Sequence, residues 1–353
     1  MRKLYNAINN MLIKVDFSAI WPGFQKCPFA LYNETDVYFE SEVIPCDNRF
    51  LGNTSIEYNG EYIAIWKVKN PSAEDSQLLA SNMVHEMFHV FQKNQNEKRF
   101  PNDLVMLDYP VNLENYQLKY YENTVLANAY NEKDGGARQE LLAQFVLIRK
   151  CREKIIGDII NQEYLTETIE GVAEYAGCMA LKQLSPGKFH IRMLEYTKKI
   201  SALDESFFDI RRSLYYSGAI FLLLLAKQEM DFYHKLGDTD TAVFPLIAGK
   251  IALSDAAACY HKEADLAELY AAHFNCLKGQ FYEFLDTHRD KVDLEAYICG
   301  YDPMNMVRMD NMILCTHFIM LKNYTMAESM FIKGPVLLYL KVNSHNQIYA
   351  YSC

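Results

Sequence analysis

The chain of 353 residues is 50% hydrophobic and 23% charged, which excludes a disordered or collagen-like protein and supplies enough apolar material for a large core. Its formal net charge of −10 argues against nucleic acid as a partner, since binding to phosphates requires a basic surface. The nine cysteines are scattered without a C-x-x-C pair, which favours reduced thiols over a disulfide framework or a cysteine-rich zinc site.

The chain shows no targeting or membrane pattern. The amino-terminal residues include a basic pair, but asparagines interrupt them before an apolar run of signal-peptide length develops. The longest strongly apolar stretch, residues 219–226, is far shorter than the roughly 20 residues that a membrane-spanning helix needs. We therefore expect a cytoplasmic protein with no membrane partner.

Residues 1–70 mix turn residues with short β-prone runs and predict an N-terminal β region. The clearest hairpin joins residues 54–58 to residues 61–68 through Asn59-Gly60, because this dipeptide supplies the positive φ angles of a type I′ turn. We expect the second of these strands to form the rim of a cleft, where an extended peptide could add its backbone hydrogen bonds.

A long helical region follows the hairpin. The first helix is predicted to open at Pro71-Ser72, with Ser72 and Asp75 in the spacing of a capping box, and to run to about Gln92 on apolar residues of helical period. Further helical patterns cover residues 113–131, 137–157, 160–184, 188–200, 206–230 and 255–287. The fold class predicted from these patterns is α+β, predominantly α.

The sequence pattern changes from helical to β-prone at about residue 300. The β-prone runs at 306–321 and 334–351 predict a small C-terminal β region. The expected organisation has four parts: an N-terminal mixed β region (1–70), a helical core (71–230), a helical extension (231–299) and the C-terminal β region (300–353).

One motif, His85-Glu86-Met87-Phe88-His89 in the first predicted helix, points to metal chemistry. Positions i and i+4 lie on one helix face, so both imidazoles can bind one metal ion. Glu86 lies about 100° around the helix from His85 and can reach a metal-bound water without itself being a ligand. Zn²⁺ suits this motif, because it accepts histidine nitrogens and a carboxylate in tetrahedral geometry and keeps one position for water.

Two histidines leave a catalytic zinc one protein ligand short, and residues 163–175 offer candidates. Four carboxylates share one helical face there: Glu163, Glu167, Glu170 and Glu174. Because no lysine or arginine stands between them, either a solvated surface or a nearby cation must relieve their repulsion. The small residues that accompany them favour the cation, since they allow another helix to approach closely: Gly171, Ala173, Ala176 and Gly177.

The two segments His85–His89 and Glu170-Gly-Val-Ala-Glu-Tyr together resemble the gluzincin branch of zinc metallopeptidases. The resemblance implies a zincin-like catalytic core that binds one Zn²⁺ through His85, His89 and Glu170. It also implies that Glu86 is the general base and that Glu174, one turn after the third ligand, orients a ligand histidine. Glu167 stays open as the alternative third ligand.

A weaker resemblance concerns Tyr215-Tyr216-Ser217-Gly218, which precedes an apolar run as the Y-x-K-G motif does in aminopeptidase-like gluzincins. It implies that the Tyr215 hydroxyl stabilises the oxyanion, with Tyr216 or a distant histidine as alternatives; core packing is the other explanation of a tyrosine here. The chain departs from the family pattern in having Ser217 in place of the lysine, a separation of 81 residues from His89 to Glu170, and no G-x-M-E-N stretch.

These features predict a zinc-dependent metallopeptidase that hydrolyses a peptide or protein substrate by a zinc-bound water, with Glu86 as general base. The alternative is a regulator or scaffold of the same fold that binds a metal or a peptide without cleaving it. A third possibility is a helical binding module in which the histidines are structural. Endopeptidase or exopeptidase action, sequence preference and oligomeric state stay open.

Overall fold

The computed structural model describes residues 1–234, 236–253 and 263–353. In chain order it has a small N-terminal sheet, a helical body and a C-terminal sheet, so the predicted class, α+β and predominantly α, is confirmed. The first part of the predicted helix at 255–287 lies outside the described residues.

Five strands form the N-terminal sheet: β1 (Phe29–Tyr32), β2 (Asp36–Tyr38), β3 (Val43–Pro45), β4 (Thr54–Tyr58) and β5 (Glu61–Lys67). Their order is β3-β2-β1-β5-β4, with β1 and β5 parallel and the other neighbours antiparallel. The predicted hairpin joins β4 and β5, and Asn59 and Gly60 have φ angles of 52° and 85°. The prediction that residues 61–68 form a cleft rim is wrong: β5 pairs with β1 on one side and β4 on the other, which leaves β4 as the edge strand.

The helix α1 (Arg2–Leu12) precedes this sheet within the region predicted to be mixed β. Its buried residues recur at helical spacing and join the main hydrophobic core: Leu4, Tyr5, Ile8 and Leu12. The sequence analysis missed this helix because it assigned the whole of residues 1–70 to a β region on the basis of the β-prone runs that follow the helix. The spacing of the apolar residues in α1 nevertheless follows one face of a helix.

The helix that carries the motif, α2 (Ser76–Asn94), begins four residues later than predicted. Asp75 is its N-cap, because the Asp75 carboxylate accepts hydrogen bonds from the backbone N–H groups of Gln77 (3.0 Å) and Leu78 (3.1 Å). Ser72 instead donates its hydroxyl to Asn70 in the preceding turn. The predicted Ser72–Asp75 capping box is therefore wrong.

The helical body continues with α3 (Asp103–Met106), α4 (Leu113–Asn131), α5 (Gly135–Ile156), α6 (Ile160–Thr166), α7 (Val172–Leu184), α8 (Pro186–Ile200), α9 (Ile210–Lys227), α10 (Val243–Ala248) and α11 (Ala264–Thr287). The predicted helix at 160–184 is not continuous, since a π-helical turn at Glu167–Gly171 (the π-turn) separates α6 from α7. Such turns disturb the regular ladder and are frequent at functional sites. Here the π-turn includes Glu170.

Small residues let α7 approach its neighbours, as predicted from the sequence. A Cβ added to Gly177 would lie 2.9 Å from the carbonyl oxygen of Ser81 on α2. A Cβ added to Gly171 would lie 2.7 Å from the Cα of Gly218 on α9. The π-turn and α7 are thus held between the helix that carries the two histidines and the helix that carries Tyr215.

Seven strands form the C-terminal sheet: β6 (Lys291–Tyr301), β7 (Met306–Met309), β8 (Met312–Cys315), β9 (Phe318–Lys322), β10 (Met330–Lys333), β11 (Val336–Leu340) and β12 (Gln347–Ser352). Their order is β10-β9-β6-β12-β11-β8-β7, with every neighbouring pair antiparallel. The assignment of residues 291–299 to a helical extension is wrong, because β6 already pairs there with β12 and β9.

Two further sequence expectations can be compared with the described residues. Within them, no helix is both long enough and apolar enough to cross a bilayer. Eight cysteines carry free thiols, and the ninth, Cys259, lies outside the described residues.

Candidate metal centre

Three side chains predicted to bind zinc converge in the middle of the helical body. The Nε2 atoms of His85 and His89 lie 3.1 Å apart. Oε2 of Glu170 lies 3.6 Å from Nε2 of His85 and 3.2 Å from Nε2 of His89. Because α7, which directly follows the π-turn, packs on α2 at Gly177, two segments separated by 81 residues present their donors to one point.

These distances fit a zinc ion. Ligand atoms about 2.0–2.2 Å from a tetrahedral centre lie about 3.3–3.6 Å from one another. The separation of 3.6 Å lies within this range, and those of 3.1 and 3.2 Å fall short of it by 0.2 Å or less. Two imidazoles and one carboxylate are also the donor set of a catalytic zinc site, so the residues present fit the ion in both chemistry and spacing.

A carboxylate fixes the orientation of the first histidine. Nδ1 of His85 lies 2.9 Å from Oε2 of Glu174, and this carboxylate can only accept, so Nδ1–H is the donor and Nε2 faces the centre with its lone pair. Glu174 in turn accepts a hydrogen bond from the hydroxyl of Tyr196 on α8. Glu174, one turn after Glu170, thus contacts the ring of His85 on the side away from the other two predicted ligands.

A residue that the sequence analysis did not identify, Gln92, orients the second histidine. Nδ1 of His89 donates to Oε1 of Gln92 across 2.8 Å. The Gln92 amide nitrogen donates to the carbonyl oxygen of Ile169 in the π-turn at 3.0 Å, which fixes which way the amide points. One fully buried side chain thus links His89 to the turn that carries Glu170. The sequence contained one signal for this role of Gln92: it follows His89 by three residues, and side chains at i and i+3 of a helix are neighbours.

Arg211 on α9, also missed from the sequence, contacts the third ligand. Its Nη2 donates to Oε1 of Glu170 at 3.2 Å, its Nη1 donates to the Tyr215 hydroxyl at 2.6 Å, and its Nε donates to Asp103 at 2.8 Å. Burial raises the pKa of Glu170, but the two histidines and Arg211 outweigh this and hold it well below the ordinary value. Glu170 is therefore an ionised carboxylate, as a metal ligand must be.

Glu86 is buried next to the three predicted metal ligands, with 6% of its surface exposed. Burial raises the pKa of its carboxyl, an effect that the neighbouring histidines only partly oppose. A carboxylate of raised pKa accepts a proton more readily than an ordinary one, so the environment of Glu86 suits a general base.

The other two carboxylates of the predicted acidic face lie elsewhere. Arg149 donates to both oxygens of Glu167, at 2.6 and 2.9 Å, and Ser217 donates to the same carboxylate at 2.6 Å. Glu163 accepts from Arg152 and from Lys119, the latter at 2.9 Å. Of the two candidate third ligands, it is thus Glu170 and not Glu167 that faces the histidines.

Of the two tyrosines considered as oxyanion donors, Tyr215 and Tyr216, only Tyr215 stacks on a predicted metal ligand. Its ring is parallel to that of His85 (4° between the planes, 5.9 Å between centroids), and burial, with Glu170 nearby, raises the pKa of its hydroxyl well above the ordinary value. Tyr216 instead packs on Tyr196, with ring centroids 4.5 Å apart. Several other histidines have partners away from the centre: His234 with Arg99, His273 with Glu205, His317 with Asp302, and His345 with Asp108.

No protein-family model matches the chain, and no curated protein or solved structure is detectably similar to it. The resemblance to gluzincins therefore rests on the residues of the site alone.

Proposed function

We propose that this protein is a zinc-dependent metallopeptidase of the gluzincin type, with His85, His89 and Glu170 as the metal ligands. The observation that supports this most strongly is the convergence of three donor atoms at separations of 3.1–3.6 Å. A second observation strengthens it: Glu174 and Gln92 occupy the outward nitrogens of the two rings, which leaves both Nε2 atoms for one ion.

Bound Zn²⁺ would supply a Lewis acid that polarises the scissile carbonyl and lowers the pKa of a water molecule. Glu86 accepts the proton of the attacking water and delivers it to the leaving amine. The raised pKa of Glu86 aids both transfers, because the carboxyl can hold the proton between them. Tyr215 keeps its proton and therefore supplies a hydroxyl donor for the oxyanion.

Arg211 has a positioning role in this proposal. Its guanidinium binds Glu170 and the Tyr215 hydroxyl at once, so it fixes the ligand relative to the tyrosine. Because arginine donates in a rigid fork, lysine could not make both contacts in the same geometry. We place the activity in the cytoplasm, on the basis of the free thiols.

The decisive experiment combines metal analysis with a peptide digest. Protein purified without chelator should hold one zinc per chain; His85→Ala should lose it, while His317→Ala, a histidine paired with Asp302, should keep it. Glu86→Gln should retain zinc and lower turnover by about 10²–10⁴-fold, with the exposed Glu114→Gln as the matched control. Zinc-loaded Glu86→Gln that cleaves at the wild-type rate would refute the mechanism.

One observation favours the alternative of a metal-binding regulator or scaffold that does not cleave. The ligand side chains are only 10–13% exposed, so access to the centre is narrow. A digest of diverse peptides separates the two functions: the alternative predicts stoichiometric zinc without any cleavage. If the protein binds no zinc at all, the remaining candidate function is a helical binding module in which the histidines are structural.

A further inference from the structure

Lys93 lies on the helix that carries the motif, two turns after Glu86. Seven residues of an α-helix cover almost two full turns, so Glu86 and Lys93 face the same side of α2, about 10.5 Å apart along its axis. Burial lowers the pKa of Lys93 and the charge of Glu86 opposes this, which agrees with the placement. Lys93 also follows His89 by four residues, the spacing of neighbours on one helix face. Its side chain therefore lies on the same side of α2 as the proposed general base.

The ammonium group of Lys93 has no carboxylate partner within the described residues, although the side chain is partly buried. It donates to the carbonyl oxygen of Ser55 at 2.7 Å and lies 5.2 Å from the ring centre of Tyr62. Four other buried cations are each paired with a glutamate: Arg99, Lys119, Arg149 and Arg152. Since a cation that loses water is normally paired, Lys93 can take an anionic partner from outside the chain.

The surroundings of Lys93 suit a chain of peptide that carries an acid. Ser55 belongs to β4, the edge strand of the N-terminal sheet, and an extended peptide can lie along an edge strand. The formal net charge of −10 repels an acidic ligand from the protein as a whole, so such a ligand needs a local cation. Lys93 supplies this cation with donors to spare, because an ammonium group has three N–H bonds and Ser55 accepts from one.

We propose that Lys93 binds a carboxylate group of the substrate, which makes acidic peptides the preferred substrate class. This rests on the proposed peptidase function, because it takes the zinc centre as the place of cleavage. Successive residues of an extended peptide are about 3.3–3.6 Å apart, so a separation of about 10.5 Å along α2 corresponds to about three residues. We therefore expect the carboxylate about three residues from the scissile bond, on an Asp or Glu side chain or at a free C-terminus.

The test uses the full zinc-loaded chain and matched peptides that carry Glu or Gln at one position and end in a free carboxylate or an amide. We expect one position at which Glu raises kcat/KM about tenfold or more over Gln, mainly through a lower KM. If the C-terminal carboxylate is the group that binds, the amidated peptide should be the poorer substrate by a similar factor. In either case a higher salt concentration should reduce the preference, a result that needs no variant.

Variants of Lys93 separate its charge from its structural contact. Lys93→Gln removes the charge but keeps an N–H donor for the carbonyl oxygen of Ser55, and it should reduce the preference to less than about twofold. Lys93→Arg keeps the charge and should retain most of the preference. Lys150→Gln is the matched control, because it makes the same change of charge at an exposed position of α5.

Binding provides a second readout that does not need turnover. Zinc-loaded Glu86→Gln should bind a fluorescent peptide with the preferred carboxylate about tenfold more tightly than the matched peptide without it. Adding Lys93→Gln should abolish this difference, whereas adding Lys150→Gln should preserve it.

The outcomes separate this proposal from the proposed function. Equal cleavage of all matched peptides, or a preference that survives Lys93→Gln, would overturn the role of Lys93 and leave the peptidase standing. Carboxylate-dependent binding that Lys93→Gln abolishes, without any cleavage, would support the role of Lys93 and refute the peptidase. Failure to bind or cleave any of the peptides would overturn the role of Lys93 too.

Discussion

Two clusters of charged side chains lie next to each other along the segment from α6 to α7. Their carboxylates have different kinds of partner. Glu163 and Glu167 join Glu122 in a buried cluster (the closed cluster) with three cations from the chain itself: Lys119, Arg149 and Arg152. Glu170 and Glu174 instead face His85 and His89. The closed cluster supplies its own countercharge, whereas the metal centre offers convergent lone pairs to an ion from solution.

The comparison shows that an acidic helical face is not by itself a metal site. Each carboxylate of the closed cluster has arginine or lysine donors at hydrogen-bond distance, such as Arg149 with Glu122 at 2.7 Å. The two sites are joined at the π-turn, where Glu167 belongs to the closed cluster and Glu170, three residues on, belongs to the metal centre. Variants on either side of this turn should therefore separate stability from metal binding.

The largest effect is expected from Arg152→Met. It removes the main partner of the buried Glu163 and one of the two arginine partners of the buried Glu122, so the free energy of unfolding should fall by about 3–5 kcal/mol. Urea titration measures this, with Arg212→Met, an exposed pair worth about 0–1 kcal/mol, as the control. The folded fraction should still bind one zinc. Loss of zinc at full stability would contradict the division into two clusters.

Glu167→Gln should affect both properties, because it removes the charged partner of Arg149 from the π-turn. We expect destabilisation of about 3 kcal/mol and zinc affinity about tenfold weaker, measured by competition with a chelator. Glu163→Gln is the matched variant: it changes the same closed cluster outside the π-turn and should leave zinc affinity unchanged. Equal zinc affinities in the two variants would show that the closed cluster does not position Glu170.

Glu174→Gln should weaken zinc binding by about 10–100-fold, since a neutral amide replaces the carboxylate that orients His85. The chelator competition also measures this, with the exposed Glu195→Gln as the control. Stability in the absence of metal should change little compared with Arg152→Met. A wild-type zinc affinity in Glu174→Gln would contradict the assigned role of Glu174.

The smallest effect is a pH dependence of the closed cluster. Burial raises the pKa of Glu163, but Arg152 and Lys119 outweigh it and hold the pKa below the ordinary value of 4.5. Stability from this group is therefore present above about pH 4.5 and is lost as the pH falls towards the folded-state pKa. The difference in unfolding free energy between wild type and Glu163→Gln should shrink below pH 4.5. A constant difference would contradict this.

The sequence predicted the parts of the site that depend on local spacing. His85, Glu86 and His89 follow helical geometry, and the type I′ turn at Asn59-Gly60 follows from the conformations that these residues allow. The continuous helix at 160–184 was a local prediction as well. It failed at the π-turn, because that turn is held by side chains from other helices, such as Gln92 and Arg149.

The remainder of the site depends on contacts between distant segments. Arg211 is 41 residues from Glu170, and no periodic pattern connects the two. The cations that neutralise Glu163 and Glu167 are carried by α4 and α5, so the acidic face gave no sign of which carboxylates were already paired. Likewise, the alternation of β4 and β5 predicted a hairpin but not that β1 would pair with β5 and leave β4 at the edge.

The most direct test of the metal centre is a crystal structure of protein purified with zinc, with anomalous data collected on both sides of the zinc absorption edge. We predict one strong peak about 2.0–2.2 Å from Nε2 of His85, Nε2 of His89 and a carboxylate oxygen of Glu170. A peak at other residues, or zinc-saturated protein without a peak between these three side chains, would contradict the assignment.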